Sequence, residues 1–296
     1  MKGTLYSLVY GRIIARSVDP IEKKPLFHFL PGSRAYSIAT VGCNFRCLNC
    51  QNYDISQMPK PQKLVFGDEV PPEEIIEGAK RYRCETIAYT YTEPTIFFEY
   101  AYETAKLATE HGLKNVFVTN GYITEEALRV IAPYLDAANI DLKSFRDEFY
   151  QKVCGARLKP ILNAIRLYKE MGVWIEITTL VIPSLNDSEE NLRGIAEFIE
   201  NLDEGIPWHV TQFYPAYRLL DLPPTPLDTL KKAKKIGLDV GLKHIYQGNI
   251  PGEGENTHCQ SCGRLMIERY GYRVPRYNVK NSRCPYCGAK IGGVWR

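Results

Sequence analysis

Cys43-Asn44-Phe45-Arg46-Cys47-Leu48-Asn49-Cys50 puts three thiols within eight residues, directly after a short run of β-forming residues, Tyr36–Val41. Three thiolates on one loop can wrap one corner of a cubane, but a [4Fe–4S] cluster has four irons to ligate. With only three cysteines nearby, one iron is left open to a ligand from outside the protein. Zinc is the competitor, since three cysteines plus water resemble a catalytic zinc site. The three-then-two spacing suits a cluster better, and no adjacent histidine or carboxylate completes a zinc set. Three unrelated buried thiols would rarely fall at this spacing.

Outward from that loop, short runs rich in Val, Ile, Thr and aromatics alternate with helical segments. The other candidate strands are Thr86–Tyr91, Asn115–Thr119, Ala138–Leu142, Trp174–Val181 and His209–Phe213. Pro72-Glu73-Glu74 marks a helix start, as does Asp187 with Glu190, which can form a capping box before an apolar stripe. Thr225, Pro226 and Asp228 repeat that logic, and Gly112, Gly172 and Gly237 sit where helices should stop. Six strand–helix repeats in one direction predict an α/β fold with a parallel sheet covered by helices. Periodicity leaves open whether the sheet closes. Three regions follow: an N-terminal extension over 1–34 packed on the sheet, the strand–helix unit over 35–250, and a turn-rich tail over 251–296 that begins near Pro251.

Composition bounds the rest. Of 296 residues, 45% are apolar and 24% charged, and the net charge of +3 is too small to argue for nucleic acid or an anionic membrane. No apolar run approaches the length of a membrane span, and the N-terminus lacks a signal-peptide pattern, so the cytoplasm is the expected compartment. In a reducing compartment, grouped cysteines point to metal rather than disulfides. Seven of the nine cysteines are grouped; Cys84 and Cys154 stand alone and read as small buried hydrophobes.

The tail holds two knuckles, Cys259-Gln260-Ser261-Cys262-Gly263 and Cys284-Pro285-Tyr286-Cys287-Gly288, with 21 residues between the pairs. Four thiolates so arranged suit tetrahedral coordination of one ion, structural zinc or rubredoxin-type iron, with zinc preferred. An auxiliary iron–sulfur cluster ranks second. Arg264, Arg269, Arg273, Arg276 and Lys280 read as a solvated basic face rather than a nucleic-acid surface. Among the histidines, His209 reads as a satisfied core residue. Tyr214, Tyr217 and Arg218, after the sixth strand, are candidates for a substrate mouth.

The CxxxCxxC spacing ahead of repeated strand–helix units resembles the radical S-adenosylmethionine superfamily. That resemblance implies a partial (β/α)6 TIM-type barrel, here with a small C-terminal zinc-ribbon-like domain. It also implies a [4Fe–4S] cluster on Cys43, Cys47 and Cys50, whose open iron chelates S-adenosylmethionine. Reduction would cleave the cofactor to a 5′-deoxyadenosyl radical that abstracts hydrogen from a substrate. Asn49 stands where the family commonly has an aromatic residue. Tyr91-Thr92-Glu93-Pro94, Thr119-Asn120-Gly121 and Asp141-Leu142-Lys143 resemble cofactor-contacting segments of the family, which implies cofactor roles for Thr92, Glu93, Asn120, Asp141 and Lys143. No residue is assigned to catalysis proper. Together these segments look most like the pyruvate formate-lyase activating enzyme group. Pro20-Ile21-Glu22-Lys23-Lys24-Pro25, Trp208-His209-Val210 and Asn249-Ile250-Pro251-Gly252 look like one branch of it, the AmmeMemoRadiSam system enzymes. That branch implies Memo-type and AMMECR-type partners, an electron donor such as a flavodoxin or ferredoxin, and a substrate of protein or peptide class. The rival is a non-catalytic iron–sulfur electron carrier or a metal-stabilised interaction module.

Overall fold

The computed structural model describes residues 6–57, 65–250, 252 and 254–296; residues 1–5 of the N-terminal extension and Pro251 lie outside the described residues. Among the described residues nine strands form the main sheet: β1 (Arg12–Pro20), β2 (Arg34–Thr40), β3 (Asp68–Glu69), β4 (Thr86–Tyr89), β5 (Lys114–Thr119), β6 (Ala137–Asp141), β7 (Trp174–Val181), β8 (Trp208–Gln212) and β9 (Ile245–Gly248). Their order is β3-β1-β2-β4-β5-β6-β7-β8-β9, parallel from β2 through β9, with β1 antiparallel to β2 and β3 antiparallel to β1. Among the described residues the outer edges of β3 and β9 do not pair, so the sheet stays open, as in a partial barrel. The six expected strands are present, their ends shifted by a residue or two. The count of six is corrected to seven parallel strands. Ile245-Tyr246-Gln247-Gly248 is too short and too mixed to read as β9 from sequence. Likewise, β1 carries part of the N-terminal extension into the sheet itself.

Crossover helices α1 (Pro72–Arg81), α2 (Phe98–Glu110), α3 (Glu125–Ile131), α4 (Leu158–Glu170), α5 (Glu189–Leu202) and α6 (Leu227–Val240) cover one face. Two helix signals are corrected. The cap of α5 is Ser188, whose hydroxyl accepts the Asn191 N–H, while Asp187 turns back to accept from Ser184. Gly237 does not end its helix, which runs on to Val240. A Cβ at Gly237 would lie 2.7 Å from Ile245 Cδ1 and 3.2 Å from Trp208, so this glycine lets α6 approach β8 and β9.

Alternation along each strand separates two cores. Ile38, Ile87, Phe117, Ile140, Ile177 and Trp208 pack against the helices. On the other face Ala35, Ala88 and Ala137, small enough to admit more chain, pack with Val116 against Ile21, Leu26, Phe29 and Leu30 of the extension. Residues 21–30 thus fill the lower concave side. Buried Glu176 on β7 anchors them, accepting the N–H groups of Phe27 (2.9 Å) and His28 (2.7 Å), and pairs with His209 Nε2 at 2.7 Å. The Pro20–Pro25 run is explained by Asp19. Its carboxylate accepts from Lys23, from the Tyr91 hydroxyl and from Lys24, whose buried ammonium lies 4.4 Å from the Tyr91 ring centre.

The tail forms a second, antiparallel sheet of β10 (Thr257–His258), β11 (Leu265–Tyr270) and β12 (Arg273–Tyr277). It is laced into the extension: Leu30 N–H donates to Val294 O, and Val294 N–H to His28 O. Arg269 must leave the proposed basic face. Its side chain is fully buried, donating to Phe27 O, Glu255 O and the Thr257 hydroxyl, over the Phe27 ring and 3.7 Å from Glu22. Among the described residues no helix is long and apolar enough to cross a membrane.

Arg269→Ala leaves the Glu22 carboxylate buried without its counter-charge, so unfolding free energy should fall by about 3–5 kcal/mol. Urea denaturation followed by circular dichroism measures this. Glu22→Gln in the same chain should recover part of the loss. An unchanged midpoint in Arg269→Ala would contradict the interlocking of tail and barrel.

Candidate functional site

The three-cysteine loop leaves the C-terminal end of β2, the end where parallel α/β sheets expose their loops. Phe45 is its anchor, buried edge-on against Tyr122 and Tyr150. All three thiols are partly buried. Cys43 Sγ accepts the Phe45 N–H at 3.3 Å, and Cys50 Sγ lies 3.1 Å from the Ser56 hydroxyl. Burial, with the Glu93 charge nearby, pushes the Cys43 thiol up to about 12. Burial also raises Cys50. Cys47 is brought down to about 7, chiefly by a hydrogen bond with Cys154, with the Lys143 charge adding to it. Cys154 is therefore not an isolated core thiol, as its sequence position suggests; the fold sets it against the loop. Thiols that ionise reluctantly hold their charge when a metal supplies the balancing positive charge.

Other strand ends brace the loop. Asn120, following β5, donates through Nδ2 to Asn44 Oδ1 at 2.7 Å, and Asn44 Nδ2 donates to Tyr122 O. Asn52 Nδ2 donates to Tyr91 O at 2.7 Å, and the Thr92 hydroxyl donates to Thr40 O at 2.8 Å. At the centre is Glu93, only 2% exposed. Its Oε1 accepts from Thr95 N, the Thr95 hydroxyl and the Thr119 hydroxyl; Oε2 accepts the Asn120 N–H at 2.8 Å. Burial raises the Glu93 carboxyl above the ordinary glutamate value, and these bonds pull it back. Glu93 thus fixes Asn120, which holds Asn44 inside the cysteine loop.

Asp141, the last residue of β6, pairs with Lys143 Nζ at 2.7 Å. Burial opposes the Lys143 charge, but Asp141, Cys47 and Cys154 more than offset it and hold its pKa well above the lysine value. The chain after β8 reaches back across the mouth. Arg218 N–H donates to Leu48 O at 2.9 Å, and Tyr217 stacks on Tyr53 with ring centres 4.9 Å apart. Tyr217 and Arg218 are thus loop braces. Tyr214 instead lines a cavity of about 320 Å³ with Lys23, Phe27, His209, Thr211 and Tyr272. His209 is the buried, carboxylate-paired residue that its strand position predicts, yet it also forms part of that wall. Asn49, directly before Cys50, is buried, and its Oδ1 has no hydrogen-bond partner among the described residues.

The two sulfur sets differ in geometry. In the tail, Cys259, Cys262, Cys284 and Cys287 bring four sulfurs within 4.8 Å of one another, with pairs at 3.6 and 3.8 Å. Sulfurs about 2.3 Å from one ion at tetrahedral angles stand roughly 3.8 Å apart, so this set fits a single ion. Cys284 Sγ also accepts the N–H groups of Tyr286 and Cys287, which favours the thiolate. Among the described residues, Cys43, Cys47 and Cys50 form no such tight set with one another or with a carboxylate or histidine.

The Glu93 network predicts a structural cost. Glu93→Ala strips partners from donors on two segments, at Thr95 and at Thr119 with Asn120, so stability should fall by at least about 2 kcal/mol, and the loop should loosen. Limited proteolysis near Asn44 should quicken accordingly; a cutting rate equal to the parent's would count against the bracing role.

The family model described as the radical SAM superfamily matches residues 37–199, more than half of the chain. An uncharacterized protein of Methanocaldococcus jannaschii is 47% identical over 295 residues, covering 98% of this chain and 87% of that protein. The pyruvate formate-lyase-activating enzyme of Clostridium pasteurianum is 24% identical over 221 residues, 70% of this chain and 89% of its own. Among solved structures, a radical SAM methyltransferase from Sphaerobacter thermophilus shares the fold, with TM-score 0.58 at 15% identity over 80% of this chain and 71% of its own. The matched region contains the cysteine loop and the ends of β4, β5 and β6 beside it, but not the brace after β8. The chain belongs to the radical SAM superfamily, in the group that is like pyruvate formate-lyase-activating enzyme.

Proposed function

We propose that this protein reductively cleaves S-adenosylmethionine at a [4Fe–4S] cluster held by Cys43, Cys47 and Cys50, and abstracts hydrogen from a protein or peptide substrate. One observation carries the reading: a loop of three partly buried thiols, braced from the ends of β4, β5 and β8 beside Glu93, Asp141 and Lys143. An electron carrier has no use for that polar constellation. When bound, the cluster and cofactor supply the electron and the 5′-deoxyadenosyl radical.

The chain's own residues bind and orient. Oε2 of Glu93 accepts one bond and so keeps a lone pair for the cofactor's ammonium. Asp141 offers its carboxylate to the ribose hydroxyls, and Lys143 its charge to the cofactor carboxylate. Asn49 Oδ1 is a further acceptor without a partner among the described residues, in the place where the family commonly has a ring. Thr92 and Asn120 have their side-chain donors committed to Thr40 and Asn44, so they act by positioning. The tail is a zinc-ribbon-like domain with zinc on its four thiolates. A cytoplasmic flavodoxin or ferredoxin as reductant, and partners of the Memo and AMMECR types, complete the proposal on the likeness to the AmmeMemoRadiSam branch.

Anaerobically reconstituted protein, given dithionite and S-adenosylmethionine, should release 5′-deoxyadenosine on chromatography and carry about four irons at this site. Cys43→Ala, Cys47→Ala and Cys50→Ala should each abolish release. Iron without cleavage in the parent would hand the function to the electron-carrier reading. Cobalt titration of the apo-protein should saturate the tail at one ion per chain with thiolate-to-metal absorbance, and Cys284→Ser should remove it. Iron and sulfide lost together from Cys284→Ser would point to an auxiliary cluster.

A further inference from the structure

Three parts of the chain wall the cavity of about 320 Å³ beside Tyr214. The extension gives it Glu22 and Phe27, the ends of β8 and β9 give it Thr211 and Gly248, and the tail gives it Glu255 and Tyr272. Its size falls among small-ligand sites, roughly 300–1,000 Å³. Tight turns set the tail wall. Gly254, at φ +90°, folds the chain back after β9, its carbonyl accepting the Gln247 N–H at 3.2 Å, and Glu255 follows. Gly271, at φ +56°, joins β11 to β12 and donates its N–H to Glu255 Oε2 at 2.9 Å. Tyr214 and Tyr272 are exposed, so solvent reaches the wall that they form. A short chain of contacts links the cavity to the proposed cofactor residues: Lys23, on the wall, shares Asp19 with Tyr91, which precedes Thr92 and Glu93.

The basic groups on the wall are committed, and the acidic groups are not. Lys23 pairs with Asp19 at 2.8 Å and His209 with Glu176 at 2.7 Å. Glu22 is only 1% exposed, and its Oε2 has no hydrogen-bond partner among the described residues. Arg269 Nε stands 3.7 Å from the other Glu22 oxygen, too far for a hydrogen bond. Glu255 receives the Gly271 N–H and, among the described residues, pairs with no cation. The Arg269 charge draws both carboxyls down, yet burial outweighs it and raises each above the ordinary glutamate value. One guanidinium thus serves two carboxylates incompletely, and a further cation between them would gain from both.

Resting on the functional reading above, we propose that this cavity anchors a primary ammonium on an aliphatic stem, the chemistry of a lysine side chain, in the peptide substrate. An ammonium brings three donors and no acceptor, which matches a wall whose open polar groups are carboxylate oxygens. Phe27, Tyr214 and Tyr272 give the stem apolar surface, and their rings attract a cation as well. The tail therefore does more than brace the extension. Through Glu255 and Tyr272 it supplies one wall of the place where the substrate is chosen.

The test compares two capped glycine peptides, one with a central lysine and one with norleucine, which keeps the stem without the charge. Their affinities for the reconstituted full-length protein are read by ligand-observed nuclear magnetic resonance, with neither dithionite nor S-adenosylmethionine present. The parent should bind the lysine peptide about tenfold more tightly, as for a hydrogen bond between charged groups. Glu255→Gln should close that gap and Tyr272→Ala narrow it, while Glu268→Gln, on the tail but outside the cavity, should keep it. Equal affinities in the parent, binding of neither peptide, or a full preference retained by both cavity variants would each overturn the proposal. With dithionite and S-adenosylmethionine added, the lysine peptide should raise 5′-deoxyadenosine release above the level that the norleucine peptide gives; equal release would overturn the substrate role. No release from the parent under any condition would instead fail the functional reading, and the binding preference would stand as that of a ligand pocket.

Discussion

A buried carboxylate, Glu176, holds the molecule's concave side together. An open parallel sheet exposes one apolar face, and here that face is built from small residues, Ala35, Ala88 and Ala137, so that chain 21–30 can lie against it. A backbone pressed into such a place needs acceptors for its N–H groups. Glu176 supplies them to Phe27 and His28 and takes His209 as its own partner. Once the extension is fixed, the tail has something to grip. Arg269 caps Phe27 O, and Val294 exchanges bonds with His28 and Leu30. Extension, barrel and tail therefore form one interlocked body rather than a barrel with appendages.

The cysteine loop obeys a related constraint at the opposite end of the strands. A loop that presents three thiols inward cannot be held by its own short sequence. It is held from elsewhere: Asn120 after β5, Asn52 bonding to Tyr91 after β4, Arg218 after β8, and the turn at residues 153–154 after β6. Glu93 links these supports, because one carboxylate saturates donors from two strand ends. A group that the family likeness marks for the cofactor is thus also a structural hinge-pin, with both carboxylate oxygens bonded to neighbouring strand ends.

The two sulfur sets show how the same residue type is turned to different ends by spacing and backbone. In the tail, each knuckle folds back on a glycine with positive φ, Gly263 at 71° and Gly288 at 75°, and the sulfurs collapse to the edges of a small tetrahedron. In the loop, residues 46 and 48 bond instead to the backbone of a neighbouring segment, at Cys154 and Val153. A single ion suits the tail geometry.

Much was legible in the residues alone. The order of β-rich runs and helix starts announced a parallel α/β sheet, because local periodicity reports which face of each element is buried. The two cysteine spacings announced metal, because ligands close in sequence are close in space whatever the fold. Contacts between distant segments were not legible. Nothing near Cys154 says that its carbonyl meets Arg46 of the cysteine loop, more than 100 residues earlier. Nothing near Arg269 says that it leaves the surface, and no pattern marks Glu176 as the anchor of residues 27 and 28. The strand β9 escaped notice because four mixed residues carry no period. Local chemistry decided which groups could bind metal or cofactor; only the packing of the chain decided which of them meet, since long-range pairing depends on the whole sheet's register and not on any one stretch of it.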